Sequence, residues 1–185
     1  MGSSSRAKVT DVRIDIREAT PDDAQLLADL GARTFLDTYG ADNTEHDMRA
    51  YLASAFGPDI QAREIADSGT VFLVAHAGAK AAGYARLRQG EAPAAIGARR
   101  PIEVVRFYVD RPWQGRGVGS LLMGAALDLA AGEGCDIVWL DVWERNPRAI
   151  AFYGKWAFAV RGRQGFVLGG DVQDDLLMAR NVVTG

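Results

Sequence analysis

The stretch from Pro101 to Phe158 constrains this chain more than any other, because it alternates twice between a strand pattern and a helix pattern. Ile102 to Val109 is an apolar run, after which Val118, Leu121, Leu122, Ala125 and Leu129 recur at helical spacing until Gly132 and Gly134. Ile137 to Trp143 is a second strand, apolar enough to be largely buried. Asn146-Pro147 then caps and opens a second helix carrying Ala149, Phe152, Tyr153 and Trp156 at helical spacing. Strand, helix, strand, helix implies parallel pairing across a right-handed crossover, which makes the chain an α/β protein.

The flanks supply the rest of a sheet. Val12 to Arg17 alternates apolar and charged residues, as a strand with one buried face does. Thr20-Pro21-Asp22-Asp23 starts a helix that runs to about Tyr39, and a second helix over Glu45 to Phe56 is expected to end at Gly57-Pro58. Thr70 to His76 and Ala82 to Arg88 read as strands around a turn at Gly78, residues 89–100 as a loop, and Phe158 to Leu168 and Leu176 to Asn181 as two final strands.

At 185 residues the chain has the size of one domain, assigned to 11–183, with residues 1–10 a disordered leader. Hydrophobic residues at 48% and charged residues at 24% exclude the composition of disordered chains. A net charge of -3 offers no field for nucleic acid. Residues 11–50 nevertheless hold ten Asp or Glu against four Arg, an acidic segment suited to a cationic substrate or to solvated helix faces. No apolar stretch approaches a membrane span. Cys135 is the only cysteine, which rules out an intrachain disulfide, fits a cytoplasmic setting and leaves no multi-cysteine metal site. With only His46 and His76 besides, no metal is expected.

Chemistry concentrates between the two central strands. Gln114-Gly115-Arg116-Gly117-Val118-Gly119-Ser120 places three glycines ahead of a helix, where backbone N–H groups can surround an anion. The turn lacks the Gly-Lys-Ser/Thr of a Walker loop. A dinucleotide fingerprint would need Gly at 120, where Ser120 stands, although Asp141 could then serve as its ribose-binding acid. A tight turn without ligand is the bland alternative.

Gln114-x-x-Gly117-x-Gly119, following Glu103-Val104-Val105-Arg106-Phe107-Tyr108-Val109, resembles the acetyl-CoA motif of the GNAT N-acetyltransferases. Asn146 to Phe158 is similar to that family's second signature, except that Ala157 stands where Gly is usual. Thr34 to Tyr39, Trp139 to Glu144, Phe166-x-x-Gly169 and Asp174-Asp175-Leu176 resemble the spermidine/spermine acetyltransferases of the PaiA type. The resemblance implies a mixed twisted sheet of six to seven strands flanked by helices, with the central parallel strands splayed apart. It also implies acetyl-CoA as cosubstrate, with pyrophosphate on the Gln114 to Ser120 amides and pantetheine along Phe107, Tyr108 and Val109. Asn146 and Lys155 become further cofactor contacts, and Arg99, Arg100, Arg111 and Arg116 a cationic rim.

An amine nucleophile must lose a proton, since alkylammonium pKa values lie near ~10. Glu103 is the candidate base, because strand alternation places it with Val105, Phe107 and Val109 in an apolar setting; a solvated or Arg-paired carboxylate is the alternative. Tyr153 is the resemblance's candidate acid for the leaving thiolate. Asp37 and Glu45, in the acidic segment, are the candidate acceptor contacts for a polyamine. Trp139, Trp143 and Trp156 are explained as core. The expected reaction is direct acetyl transfer to a small-molecule amine in a ternary complex, with protein amines or noncatalytic CoA binding as rivals; the sequence is compatible with a homodimer.

Overall fold

The computed structural model describes residues 12–168 and 171–182. The leader expected at 1–10 and Gly169 lie outside the described residues. Chain order is β1 (Ile14–Glu18), α1 (Ala24–Tyr39), α2 (Glu45–Ala55), α3 (Pro58–Ala66), β2 (Thr70–Ala77), β3 (Lys80–Gln89), β4 (Pro101–Val109), α4 (Val118–Gly132), β5 (Ile137–Trp143), α5 (Pro147–Lys155), β6 (Ala159–Leu168) and β7 (Asp171–Asn181). The strands form one sheet ordered β1-β2-β3-β4-β5-β7-β6. Among the described residues only the β4–β5 pair is parallel, as the crossover logic requires.

Helix α3 is a correction to the sequence reading. Pro58 does not merely stop α2; it follows Gly57 as the first residue of a new helix, where its missing N–H costs nothing. At the other end of the helical layer, Asp23 accepts from the Thr20 backbone N–H at 2.7 Å and from both Arg17 guanidinium nitrogens at 2.7 Å, fixing where α1 begins.

The sheet separates two apolar layers. Leu73, Ala85, Ile102, Val104, Val138 and Leu140 pack with Val118, Leu122, Met123 and Ala126 of α4 on one face. Leu27 and Leu30 of α1 meet Phe72, Val74 and Tyr84 on the other. Gly31 lets α1 approach closely there: a Cβ would sit 2.5 Å from Phe56 Cδ1 and 2.7 Å from the Tyr84 hydroxyl.

Two irregularities open the sheet at its centre. β4 and β5 pair only from Pro101↔Ile137 to Glu103↔Trp139, although both strands continue beyond, so their ends splay apart. Immediately above, β4 carries one extra residue against β3: Arg86 pairs with Arg106 and Leu87 with Val104, leaving Val105 without a partner. Ile102 and Val104 therefore face α4, and so do Phe107 and Val109, while Arg106 and Tyr108 turn toward α1–α3.

Candidate active site

The splay opens a cleft of about 720 Å³ that passes between β4 and β5 and is walled by helices from both layers. On the α4–α5 side it is lined by Phe107, Val109, Gln114, Gly115, Gly117, Gly119 and Ser120, with Asn146, Phe152, Tyr153 and Lys155 opposite. On the α1–α2 side stand Tyr39, Tyr51, Tyr108, Asp141, Trp143 and Asp175. Most residues that the motifs singled out thus share one cavity.

The glycine turn has the geometry of an anion cradle. Gly115 (φ 73°) and Gly117 (φ 87°) occupy the left-handed region, and no atom lies within 4 Å of where a Cβ would be at either. The first-turn N–H groups of α4 have no intrahelical acceptors and face this open space. Gln114 ties the turn to its surroundings: its Nε2 donates to the Val109 carbonyl at 3.0 Å, and its Oε1 accepts from Arg148 Nη1 at 2.7 Å. The side chain of Val118 is buried in the core, so only its backbone can serve a ligand. Arg116 is not among the lining residues and stacks 5.6 Å from the Trp113 ring centre.

None of the four arginines of the expected cationic rim, Arg99, Arg100, Arg111 and Arg116, lines the cleft. Arg99 and Arg100 precede β4 and are held by Asp136, which accepts from both backbone N–H groups at 2.9 Å. The glycine turn follows the far end of that strand, roughly 26 Å away at about 3.3 Å per residue. Arg148 and Lys155 line the cleft instead. Sequence reasoning passed over Arg148, whose signal was a cation in the first turn of α5, against the helix dipole.

Asn146 caps α5, accepting from the Ala149 N–H at 3.1 Å. Tyr153 is buried between Phe107, Phe152 and Phe158, and burial pushes its hydroxyl well above the ordinary tyrosine range. It stays protonated at any working pH.

Glu103 is not where alternation placed it. The bulge at Val105 shifts the parity of β4, so Glu103 lies on the opposite face from Phe107 and Val109. It is absent from the cleft lining, and Arg88 Nη2 donates to its Oε2 at 2.6 Å. Burial raises its pKa and the Arg88 bond opposes the rise. Asp37 and Glu45 also fall outside the cleft: Asp37 is exposed on α1, and Glu45 pairs with Arg49 one turn along α2.

The carboxylates that do line the cleft are Asp141 and Asp175. β5 and β7 pair Trp143 with Asp175 and Asp141 with Leu177, so both acids and Trp143 share the sheet face toward α1 and α2. Trp143 is thus a cleft residue, 5.9 Å from Tyr39 between ring centres, and not simple core. Asp141 Oδ2 accepts from Gln164 Nε2 at 2.9 Å, and burial raises its pKa. Burial first, then the negative charges of Asp141 and Asp174, push Asp175 up to about 7. The signal for Asp141 was a lone acid inside an otherwise apolar strand; nothing in the sequence paired it with Asp175.

The chain matches the Acetyltransferase (GNAT) family over residues 32–158. It is 31% identical over 154 residues, covering 83% of this chain and 89% of its relative, to a protein of Lactobacillus delbrueckii subsp. lactis named an uncharacterized N-acetyltransferase. A spermine/spermidine N(1)-acetyltransferase of Bacillus subtilis is 32% identical over 62 residues, 33% of this chain and 41% of that one. The crystal structure of a PaiA N-acetyltransferase from Thermoplasma acidophilum in complex with coenzyme A shares the fold, with a TM-score of 0.74, 20% identity, and coverage of 91% of this chain and 99% of that one. The chain belongs to the GNAT family and is an acetyl-CoA-dependent N-acetyltransferase.

Proposed function

We propose that residues 11–183 act as one catalytic domain that transfers acetyl to a primary amine of a polyamine, by direct attack in a ternary complex within the cytoplasm. The observation that carries the acceptor reading is a pair of carboxylates, Asp141 and Asp175, set among aromatic rings on the side of the cleft away from the glycine turn. Phe35 stacks 4.5 Å from Tyr51, and Tyr51 meets Phe166 edge-on at 5.8 Å. Carboxylates attract ammonium groups and ring faces attract the same cations, while the rings accommodate the methylenes between them. The stretch shared with the Bacillus spermine/spermidine enzyme supports the same class. Asp37 and Glu45, outside the cleft, are left to act on such a polycation only at long range.

Acetyl-CoA supplies an activated acyl group as its thioester. The chain's part is to bind, orient and manage charge. The Gln114–Ser120 turn with Arg148 and Lys155 offers N–H groups and cations to phosphates, and the unpaired edge of β4 beyond Val105 offers backbone N–H groups toward the splay. Tyr153 brings a neutral O–H to the same cavity. An alkyl thiolate of pKa near ~8.5 cannot take a proton outright from a phenol held above ~10, so Tyr153 serves by hydrogen bonding to the leaving sulfur.

Thiol release measured over a panel of spermidine, spermine, simple monoamines and peptide N-termini tests this reading. Polyamines should be preferred, with a KM that rises with salt as their charge pairing is screened. Preference for peptide N-termini would replace the polyamine assignment with a protein acceptor. Acetyl-CoA binding without any turnover would leave a CoA-binding regulator.

A further inference from the structure

Asp175 is the acid in this cleft whose charge nothing among the described residues balances. Its residue is 7% exposed, and its Oδ1 is buried with no hydrogen-bond partner among the described residues. Other buried acids are handled differently. Glu64 is shared by Arg86 and Arg106, Glu103 is held by Arg88, and Asp23 by Arg17. Asp141 at least receives the Gln164 amide. Leaving a buried carboxylate oxygen unsatisfied is costly, and a fold that keeps one inside a ligand cleft keeps it for something that enters the cleft.

The surroundings define what that is. The charged or titratable groups facing Asp175 are Asp141 from β5, Asp174 on its own strand, Tyr39 from α1 and Tyr51 from α2. β5 also presents Trp143 and β6 presents Gln164, both neutral register neighbours. None is a cation, so the partner must bring positive charge and a proton that the carboxylate can accept.

We propose that Asp175 is the catalytic base of this acetyltransferase, accepting a proton from the incoming ammonium on Oδ1, while Asp141 provides the second carboxylate against which that cation docks. This rests on the amine-acceptor reading above. The ammonium nitrogen gives one proton to Asp175, which passes it to solvent. As the N–C bond forms and the C–S bond breaks, the electron pair leaves with sulfur; the nitrogen loses its second proton, and the thiol product takes one up. Aromatic walls keep the carboxylate basic enough for the transfer, because desolvation penalises its charged form until the cation arrives.

The test uses the full chain with spermidine, the monoamine panel and acetyl-CoA between pH 6 and 10. Asp175→Asn should lower kcat/KM at pH 7 by 10²-fold or more and leave acetyl-CoA affinity by calorimetry within twofold. Its rate should climb toward wild type at high pH, where the amine deprotonates unaided. Asp141→Asn removes a like charge, so the acid limb of the pH profile should move to lower pH while acceptor KM rises more than kcat falls. That limb shift keeps the proposal testable even if Asp175→Asn folds poorly. A wild-type-like profile in folded Asp175→Asn, or an unmoved limb in Asp141→Asn, overturns the assignment of the base while leaving amine acetylation intact. If the wild-type chain acetylates no amine, the acceptor reading falls and takes the base with it.

Discussion

Glu103 and Arg88 are register partners across β4 and β3, and Arg88 Nη2 donates to Glu103 Oε2 at 2.6 Å. A base committed to a guanidinium is a weak one. Glu103→Gln should therefore leave kcat within about threefold of wild type, far from the loss expected of a general base. Arg88 is 47% exposed on its side chain, so its loss of a partner should cost only about 1 kcal/mol of stability. A kcat drop of two orders of magnitude would return the base to Glu103.

Gly117 lies at φ 87° with open space where a side chain would project. Gly117→Glu should abolish acetyl-CoA binding in calorimetry by placing a carboxylate in the anion cradle. Gly117→Ala separates charge from conformation, since it should cost about 1 kcal/mol in strain and retain measurable binding. Undiminished affinity in folded Gly117→Glu would remove the cradle from the reading.

Tyr153→Phe should lower kcat by about 10²-fold, the scale of one hydrogen bond lost at a developing charge. Acetyl-CoA affinity should change little, and the basic limb of the pH profile should not move, because burial keeps the hydroxyl protonated throughout. Unchanged kcat would make Tyr153 a packing residue beside Phe107 and Phe158.

Glu64 neutralises two buried guanidinium groups at once, Arg86 Nη1 to Oε1 and Arg106 Nη1 to Oε2 at 2.6 Å. Arg106 also donates to the Ala55 carbonyl at the end of α2 and stacks 4.9 Å from the Phe56 ring centre. Glu64→Gln leaves two buried cations without an anion and should cost about 3–5 kcal/mol in chemical denaturation. A cost below ~1 kcal/mol would mean that water reaches the cluster.

Ala157 holds the left-handed conformation, φ 63°, which the Tyr153 and Gly154 carbonyls impose through bonds to Phe158 and Ala157 N–H at 3.1 and 3.0 Å. Glycine adopts that geometry without strain. Ala157→Gly should stabilise the chain by about 1 kcal/mol, raising Tm by about 2–4 °C. A lower Tm would show that the unfolded-chain entropy of Gly outweighs the relieved strain.

What the sequence determined by itself was everything whose cause is local. The strand–helix–strand–helix order from Pro101 to Lys155, the glycines at 115, 117 and 119 and the Asn146-Pro147 cap each depend on neighbours a few residues away, and each lies where the pattern put it. The tertiary structure decided which side chains meet. One unpaired residue, Val105, reversed the parity of β4 and sent Glu103 away from Phe107, because side chains alternate with period two and a single insertion flips every residue on one side of it. Asp141 and Asp175 became neighbours only because β7 inserts between β5 and β6, a pairing between distant segments that no local pattern encodes.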